Sequence, residues 1–395
     1  MALFENKKKG NSRILKLFGF VIYMTTSGYK RRTQRFLGNL ISTLKTEKDD
    51  IQTKVTKFLD KDFIKRVRTE DYEKEYFCGN LIKNIDLKQS FLNKWSKYID
   101  NYDNIIILNA NSGEIYLFLT YVLDFFIKKY HCKNVLLIAK KKYHMDLINL
   151  ICPEIPHVHL EKIRPLKKTK TQIADKTFFT MFTGDHFLKV EQDIKANPID
   201  TSHYFDSILE NLQIKNEELG YRKVNVPQEI IKSVKKKASN INLNLNNFVF
   251  IAPEAASCEE YDNDFWVDLT LALQAKGYDT FFNIVDKDTD IIGCSFKQCD
   301  LTFSEAFALA QMSKGVVSLR SGLTESLLQT NVPLFSLYTS FRNRYVFNDM
   351  AVEYVLSGFG LSRLPNVNTK LLFEFNMSEV ENNNVIENII KHLKR

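Results

Sequence analysis

Residues 104–139 of the chain read NIIILNANSGEIYLFLTYVLDFFIKKYHCKNVLLIA. Residues 105–108 are an apolar run bounded by Asn104 and Asn109, which is typical of a buried parallel strand. A loop with Gly113 follows, then a stretch at 116–130 that is apolar on nearly all sides and predicts a helix, then a second apolar run at 135–139. The order strand, loop, helix, strand predicts one βαβ unit of a parallel sheet.

The same alternation returns in the second half of the chain. Apolar runs predict strands at 248–252, 280–285, 315–319 and 332–337. Helical patterns lie between and after them, at 264–276, 302–312, 321–330 and 380–394, and Thr302 with Glu305 forms a capping box. Weaker strand signals at 158–160 and 177–182 complete the first sheet. The pattern predicts two sheets wound by helices on both faces.

We therefore predict an α/β protein with two Rossmann-like, doubly wound domains that face a cleft. The predicted domains are an N-terminal Rossmann-like domain at 99–225, a C-terminal Rossmann-like domain at 226–379 and a closing C-terminal helix at 380–395. Residues 1–98 have few turn residues, and apolar positions at 35–44 recur at helical spacing. For this segment we predict a basic helical N-terminal extension.

Positive charge is concentrated at the N-terminus. The chain has 395 residues with 55 Lys or Arg against 47 Asp or Glu, a net charge of +8, and residues 1–48 contain eleven Lys or Arg against Glu5 and Glu47 alone. A basic, aromatic helix of this kind is expected to rest on an anionic membrane surface. The alternative is a packed helix with a solvated basic face. Because the surplus is local and no recognition module is present, nucleic-acid binding is not expected.

No targeting or spanning segment is apparent in the sequence. The apolar run at 14–24 is shorter than the roughly 20 residues that a membrane crossing needs, and no signal-cleavage pattern follows it. The expected location is the cytoplasm, at the inner face of the cell membrane if the extension binds lipid.

Neither the cysteines nor the acidic motifs predict a metal site. The six cysteines are scattered and do not cluster with histidines at metal-ligand spacing. The Asp-x-Asp patterns at 262–264 and 288–290 resemble metal-binding motifs, but Asp262 or Asp264 is better explained as the cap of the following helix. We expect no metal and no cofactor.

The loop after the first strand is the first candidate site. Gly113 permits a tight turn there, and Glu114 at the start of the next helix could take a proton from an attacking hydroxyl. The alternative is that Glu114 only complements the positive end of the helix. Asn111, in the same loop, and His203, near the link between the sheets, are candidates on the acceptor side.

The second candidate is the run 318–325, a strand end followed by a turn and a helix start. Backbone amides of Ser321, Gly322 and Leu323 suit a diphosphate, Arg320 adds a cation, and Glu325 could accept hydrogen bonds from ribose. The alternative is a plain helix cap with a surface Arg–Glu pair. A third, weaker candidate is the small-residue loop that holds Pro253 and Ser257, which is open enough for a phosphate.

The order of these motifs resembles that of bacterial heptosyltransferase-like glycosyltransferases of the family 9 type, which have the GT-B fold. The resemblance covers residues 104–340 and rests on Gly113-Glu-Ile, the segment 202–209, the Pro253 loop, Phe265-Trp266, and Ser321-Gly-Leu before Asn331-Val-Pro. It implies metal-independent, inverting transfer of a sugar from a nucleotide-sugar, which is a co-substrate rather than a cofactor. The resemblance further implies that residues 99–225 form the acceptor domain and residues 226–379 the nucleotide-sugar donor domain. Glu114 occupies the position of the family's proposed base, where Asp is usual.

Three positions depart from the family pattern. Arg320 stands where an Asp is usual, and Glu325 where some members have His. The family's Lys before Trp266 is absent, and Arg320 could supply that charge. An Arg-Ser-Gly run also occurs in fucosyltransferase-like GT-B enzymes, so the donor is open.

The predicted function is a hexosyl- or heptosyltransferase of bacterial surface polysaccharide or lipopolysaccharide synthesis. It acts on a glycan or lipid-linked acceptor. The alternatives are a catalytically inactive GT-B-like binding or assembly subunit and, less favoured, a sugar-nucleotide epimerase, which needs more cleft carboxylates and histidines.

Overall fold

The structure is a computed structural model that describes residues 4–9, 12–17, 20–28, 31–36, 41–48, 51–59, 61–69, 72–163, 170–180, 203–256, 258–285, 294–340 and 352–393. The chain divides into two compact units, Met1–Asp100 and Asn101–Arg395. Within the described part of the chain, none of the helices has the length and apolarity that a membrane crossing requires.

The first unit is an antiparallel sheet in which each strand pairs with the next along the chain. Its strands are β1 (Phe4–Lys9), β2 (Ser12–Leu17), β3 (Phe20–Gly28), β4 (Arg31–Phe36), β5 (Ile41–Lys48), β6 (Ile51–Phe58), β7 (Lys61–Arg68), β8 (Tyr72–Phe77) and β9 (Asn80–Asp86). Helix α1 (Leu87–Ile99) follows, and Asp86 caps it by accepting from the amide of Gln89 at 2.9 Å.

The predicted helical extension over residues 1–98 is therefore wrong. Among the described apolar positions of 35–44, Phe36 ends β4 and both Ile41 and Leu44 lie in β5, so their helical spacing arises from two strands. The strands are rich in Thr, Val and Ile, which favour extended backbone. Thr43 and Thr56 even pair side by side across β5 and β6, with their hydroxyl oxygens 3.2 Å apart. The pairing of neighbouring strands overrides the weak helical periodicity.

A signal for these hairpins is present in the sequence. The pattern Phe-x-Gly-Asn-Leu-Ile occurs at 36–41 and again at 77–82. In the second copy, Cys78 and Gly79 connect β8 to β9 with φ angles of 46° and 85°. Two consecutive positive φ angles are typical of a tight hairpin turn, in which Gly is favoured. Reading this repeat as a hairpin would have predicted the sheet.

The second unit contains two five-stranded sheets, and the first of them follows the predicted βαβ pattern. Its strand order is β12-β11-β10-β14-β13, parallel except for the antiparallel pair β13–β14. The strands are β10 (Asn104–Leu108), β11 (Val135–Ala139), β12 (His157–His159), β13 (Lys170–Ile173) and β14 (Lys176–Thr180). We call this the N-terminal sheet.

The second sheet of this unit, called the C-terminal sheet, is fully parallel with the order β16-β15-β17-β18-β19. Its strands are β15 (Phe248–Ala252), β16 (Asp279–Phe282), β17 (Val316–Leu319), β18 (Leu334–Tyr338) and β19 (Leu372–Asn376). The order reverses direction at β15, so a ligand crevice is expected between the loops that follow β15 and β17.

Helices surround both sheets. They are α2 (Ser112–Leu117), α3 (Leu123–Lys129), α4 (Lys142–Ile151), α5 (Tyr204–Asn211), α6 (Gln228–Asn240), α7 (Asn263–Ala275), α8 (Phe303–Met312), α9 (Gly322–Leu327), α10 (Val352–Phe359) and α11 (Asn382–His392). A π-helical turn, Phe118–Val122, joins α2 to α3. The predicted capping box is confirmed, since Thr302 and Glu305 cap α8 reciprocally.

The core explains why both sheets belong to one unit. Along β15, Phe248 and Phe250 point into one apolar cluster, whereas Val249 and Ile251 point into another that contains α7 and α11. The C-terminal sheet is thus covered on both faces, as a doubly wound sheet requires. The first cluster also includes Ile106 and Phe179 of the N-terminal sheet. One continuous apolar core therefore joins the two sheets, and the predicted division at residue 225 stays a prediction.

Candidate active site

Two loops come together at the carboxyl ends of strands from different sheets. The loop after β10 leads into α2, whose first turn holds Glu114. The loop after β17 leads into α9, with Ser321 as its cap. The loop after β10 follows the strand at which the order of the N-terminal sheet reverses, and the loop after β17 borders the crevice at the reversal point β15, the usual position of ligands in such sheets. The sequence had singled out both loops, and the structure brings them into contact.

The contact is made by two glycines. A Cβ atom on Gly113 would lie 1.6 Å from Oε2 of Glu325, and a Cβ atom on Gly322 would lie 2.2 Å from Oγ of Ser112. Real Cβ atoms do not approach other atoms so closely, and both contacts involve the facing loop. Only glycine permits this approach of the two helix starts.

Arg320 lies inside the contact, with 8% of its surface exposed. Its Nη2 donates to Oε1 of Glu325 at 2.6 Å and to the hydroxyl of Tyr204 at 3.4 Å. Its Nε and Nη1 donate to the carbonyl oxygens of Phe359 and Ser321, each at 3.0 Å. All three nitrogens of the guanidinium therefore have protein partners. The Arg–Glu pair of the plain-cap alternative is present, but it is buried rather than on the surface.

Glu325 has stronger side-chain partners than Glu114, the other buried carboxyl group of the two loops. Its Oε1 accepts from both Arg320 and the Tyr204 hydroxyl, and 2% of the residue is exposed. Burial raises the pKa of Glu325 well above its usual range, and the nearby Glu114 carboxylate raises it further. The close ion pair with Arg320 opposes this shift, because it favours the charged form.

Glu114 is buried, at 4% exposure, but it is held loosely. The Nδ2 atom of Asn111 donates to its Oε1 at 3.4 Å, and among the described residues no cation lies within salt-bridge distance of it. Burial raises the pKa of Glu114, although hydrogen bonds from Asn111 and the charge of Arg320 act in the other direction. A carboxyl group with a raised pKa is a better base near neutral pH.

The remaining predicted donor residues lie around the same loop. Pro253 is buried just after β15, and Leu323 is half-buried in α9. The loop after β15 reaches the site through Cys258, whose thiol donates to the carbonyl oxygen of Arg320 at 3.4 Å. Ser257 lies outside the described residues.

His203 has a structural task in this arrangement. It precedes α5, and its Nδ1 accepts from the amide of Phe205 at 3.3 Å. Burial lowers the pKa of His203 to about 3, so the ring is neutral. This bond caps α5, and His203 places the next residue, Tyr204, against Arg320 and Glu325.

Sequence reasoning missed Tyr204 and Phe359. The ring of Tyr204 lies 5.8 Å from the Arg320 guanidinium carbon and 5.1 Å from the Phe359 ring. Tyr204 stood within the segment 202–209 that carried the family resemblance, so its position was flagged but its role was not. Phe359 acts through a backbone carbonyl, for which no sequence signal exists.

Metal binding has no candidate in the described part of the chain. No group of three or more His, Cys, Asp or Glu side chains there is arranged to hold an ion. Asp262 caps α7 by accepting from the amide of Asp264 at 3.2 Å, as expected. The motif at 288–290 lies outside the described residues. Metal-independent chemistry stays a prediction.

No protein-family model and no curated protein matches the chain. Solved structures do match it. One is the glycosyl transferase family 9 protein from Veillonella parvula DSM 2008, at 13% identity over 74% of this chain and 96% of that chain, with a TM-score of 0.45. Glycosyltransferases are thus among the known structures that this chain is similar to.

Two further matches are proteins of E. coli. The ADP-heptose lipopolysaccharide heptosyltransferase II matches at 11% identity over 73% of this chain and 98% of that chain, with a TM-score of 0.42. The iron-containing dodecameric glycosyltransferase TibC from enterotoxigenic E. coli H10407 matches at 14% identity over 89% of this chain and 93% of that chain, with a TM-score of 0.42. TM-scores in this range are too low to assign a fold or a function, so both rest on the strand order and the residues of this chain.

Proposed function

We propose that the chain is a glycosyltransferase that moves a sugar from a nucleotide-sugar to a glycan or lipid-linked acceptor, with inversion at the anomeric carbon. The observation that carries this proposal is the difference between two neighbouring buried carboxyl groups. Glu325 is fixed by Arg320 and Tyr204, whereas Glu114 has a long side-chain contact with Asn111 and backbone hydrogen bonds, and among the described residues no cation pairs with it. One carboxyl group is therefore structural, and the other is available to a substrate.

In the proposed reaction Glu114 accepts the proton of an acceptor hydroxyl. The hydroxyl oxygen forms the new bond to the anomeric carbon as the bond from that carbon to the diphosphate oxygen breaks. The electron pair of that bond leaves with the nucleoside diphosphate. Arg320 and the backbone amides of Ser321 and Gly322 then stabilise the diphosphate charge.

This role of Arg320 requires the glycine contact to open. In the structure the guanidinium is bound to Glu325, so a diphosphate must compete with that carboxylate for the same Nη2 atom. Release of Glu325 would leave its carboxylate free to accept hydrogen bonds from ribose hydroxyls. Donor binding and separation of the two loops are therefore expected to occur together.

The test is Glu114→Gln with Glu217→Gln as the matched control, because Glu217 is exposed and remote from both loops in sequence. Nucleotide-sugar turnover is measured by release of nucleoside diphosphate in the presence of a cell-envelope glycan extract. We expect at least about a hundredfold loss of turnover for Glu114→Gln, the usual size of a general-base effect. Thermal shifts with nucleotide-sugars should be unchanged. Full turnover in Glu114→Gln would overturn the assigned base.

One observation favours an inactive binding or assembly subunit, namely that Arg320 has protein partners for all its nitrogens. The two candidates differ in a simple measurement. An inactive subunit neither hydrolyses nor transfers from any of the common nucleotide-sugars, although it can show thermal stabilisation by them.

We further propose that the enzyme works at the inner face of the bacterial membrane, on surface polysaccharide or lipopolysaccharide precursors. The positive charge of residues 1–48 supports this location, although the segment forms strands rather than a helix. At one end of the first-unit sheet, exposed apolar side chains cluster next to the turns. These are Phe58, Leu59, Phe63, Phe77 and Leu81, with exposures of 46%, 62%, 40%, 42% and 52%.

Apolar turns on a basic sheet fit an anionic bilayer, since the rings enter the interface while lysines meet lipid phosphates. The test is sedimentation of the full chain with vesicles of phosphatidylglycerol and phosphatidylcholine. Phe58→Ser/Leu59→Ser should reduce binding severalfold. Ile51→Ser is the control, because Ile51 is 43% exposed at the opposite end of β6. Equal binding to neutral vesicles, or no effect of the double variant, would refute the contact.

A further inference from the structure

Helix α4 begins with an unusual concentration of positive charge. Its cap residue is Lys141, whose side chain makes no capping bond, and the first turn has no acidic residue. Lys140 precedes the cap and Lys142 follows it. The N-terminal end of a helix carries a partial positive charge, so cations there are unfavourable and anions favourable. By contrast α2, α7, α8 and α9 each have an Asp or Glu in the first turn.

Only part of this charge has a partner within the protein. Burial raises the pKa of Asp146, one turn along α4, and the positive charge of Lys142 opposes that rise. The side chain of Lys141 instead donates from Nζ to the hydroxyl of Tyr143 at 2.7 Å, a neutral acceptor. In the described residues no ion pair is made by Lys140 or Lys141. Within the described part of the chain, no carboxylate therefore neutralises these two charges, and the ammonium of Lys141 lies 5.3 Å from the centre of the Tyr143 ring.

A histidine from the next strand joins this end of α4. His159 is the last residue of β12 and pairs in register with Ala139, the last residue of β11. It is exposed, and it lies near enough to His144 to affect the titration of that ring. The strand on the other side of β11 is β10, which leads to Glu114. The charges thus share one sheet edge with the proposed base.

His144 is a second and independent indication of a ligand. The residue is fully buried, at 0% exposure, and neither Nδ1 nor Nε2 has a hydrogen-bond partner among the described residues. Leaving buried polar atoms unpaired costs about 1–3 kcal/mol each, so such atoms need an explanation. Burial lowers the pKa of His144 to about 3, and Lys141, His159 and Lys140 act in the same direction. The neutral ring therefore lies among three cationic or titratable groups.

We infer that Lys140, Lys141, His144 and His159, together called the lysine–histidine cluster, bind a phosphate group of the acceptor next to the hydroxyl that Glu114 activates. That the phosphate belongs to an acceptor rests on the proposed function. That an anion binds here rests on the residues of the cluster itself. A phosphate satisfies the free amides at the start of α4 and the lysine charges together.

Tyr143 covers the buried ring and defines how the site opens. Its ring is 4.6 Å from that of His144 and perpendicular to it, at 89°, and 37% of Tyr143 is exposed. A phosphate that binds Lys141 breaks its hydrogen bond to the Tyr143 hydroxyl, so the Tyr143 ring can move away from His144. One N–H of His144 can then donate to the anion.

The binding test uses inorganic pyrophosphate and the full chain in calorimetric titrations at constant ionic strength. Lys140→Gln/Lys141→Gln should weaken binding about tenfold or more. The control is Lys235→Gln/Lys236→Gln, which removes the same charge from exposed positions of α6 and should leave binding within about twofold. In carbon-13 spectra of labelled histidines, the His144 signal should move at saturation. Absence of saturable binding, or equal loss in both double variants, would overturn the site.

A second arm separates the acceptor from the donor as the source of the phosphate. If the cluster serves the acceptor, ADP, UDP and GDP bind Lys140→Gln/Lys141→Gln as well as they bind the wild type. An equal loss of nucleoside diphosphate affinity would assign the anion to the donor and refute the inference. Glu114→Gln should keep full pyrophosphate binding, so a failed transferase assay and a failed anion site give different results.

Discussion

Gly113 and Glu325 are in direct contact, although they belong to different sheets and are far apart in sequence. A Cβ atom on Gly113 would lie 1.6 Å from Oε2 and 3.1 Å from Oε1 of the glutamate. Glu325 cannot yield easily, because Arg320 and Tyr204 hold its other oxygen. The absence of a side chain at residue 113 is therefore what permits the two sheets to approach at the candidate site.

Replacing Gly113 by Ala should destabilise the second unit by about 1–3 kcal/mol, the usual effect of overpacking a buried contact. Urea unfolding followed by tryptophan fluorescence measures this change. Gly220→Ala is the control, because a Cβ there would meet its nearest atom at 3.8 Å. If Gly113→Ala were as stable as Gly220→Ala, the two loops would not be in contact in solution.

The Arg320–Glu325 pair should behave as a buried ion pair. Arg320→Met leaves the Glu325 carboxyl group without its cation, and we expect a loss of about 3–5 kcal/mol. The double variant Arg320→Met/Glu325→Gln should lose less than the sum of the two single variants, which a double-mutant cycle in urea detects. Lys297→Met is the comparison, because its pair with Asp279 is about one-third exposed and should contribute at most about 1 kcal/mol. Additive effects of the two buried substitutions would contradict the pairing.

Glu114 should make stability depend on pH in a definite direction. Because the folded-state pKa is raised, the folded protein binds this proton more tightly than the unfolded chain, and stability falls as pH rises from about 4.5 through the folded-state pKa. Glu114→Gln lacks this loss. Its stability relative to wild type should rise between pH 5 and pH 8, by about 1.4 kcal/mol per unit of raised pKa. Urea midpoints at several pH values measure it, and a constant difference would show that burial does not perturb Glu114.

The buried histidines should cause sensitivity to acid. The pKa of His144 and of His203 is lowered to about 3 by burial, against 6.5 for a free ring. Their contribution to stability is complete above pH 6.5 and is lost as pH falls towards 3, by up to about 1.4 kcal/mol per pH unit for each ring. His203→Gln should flatten this slope, whereas His131→Gln, at an exposed position, should not. Acid titrations of the melting temperature, in buffers free of phosphate, distinguish the two results.

Periodicity along the chain predicted the second unit well because its elements follow local rules. The apolar runs that became β10, β11 and β15 are buried on both faces, so each residue contributes to a continuous hydrophobic signal. The caps of α7 and α8 are also local, since they involve atoms a few residues apart. The prediction of helices in the first unit was wrong for the opposite reason. The described side chains of its strands β6 and β7 are half-buried or exposed and give no continuous hydrophobic signal, and only the repeated pattern at 36–41 and 77–82 indicated hairpins.

The sequence by itself determined that strands and helices alternate after residue 104, that two turns carry Gly113 and Gly322, and that a carboxyl group stands beside each turn. Only the tertiary structure decided that the turns touch, that Arg320 is bound to Glu325 rather than open to solvent, and that Tyr204 completes the pair. It also placed His159 at the end of the strand next to β11, at the sheet edge where α4 begins. The physical reason is that backbone periodicity is read within a few residues, whereas the charge and burial of a side chain are set by neighbours from distant parts of the chain.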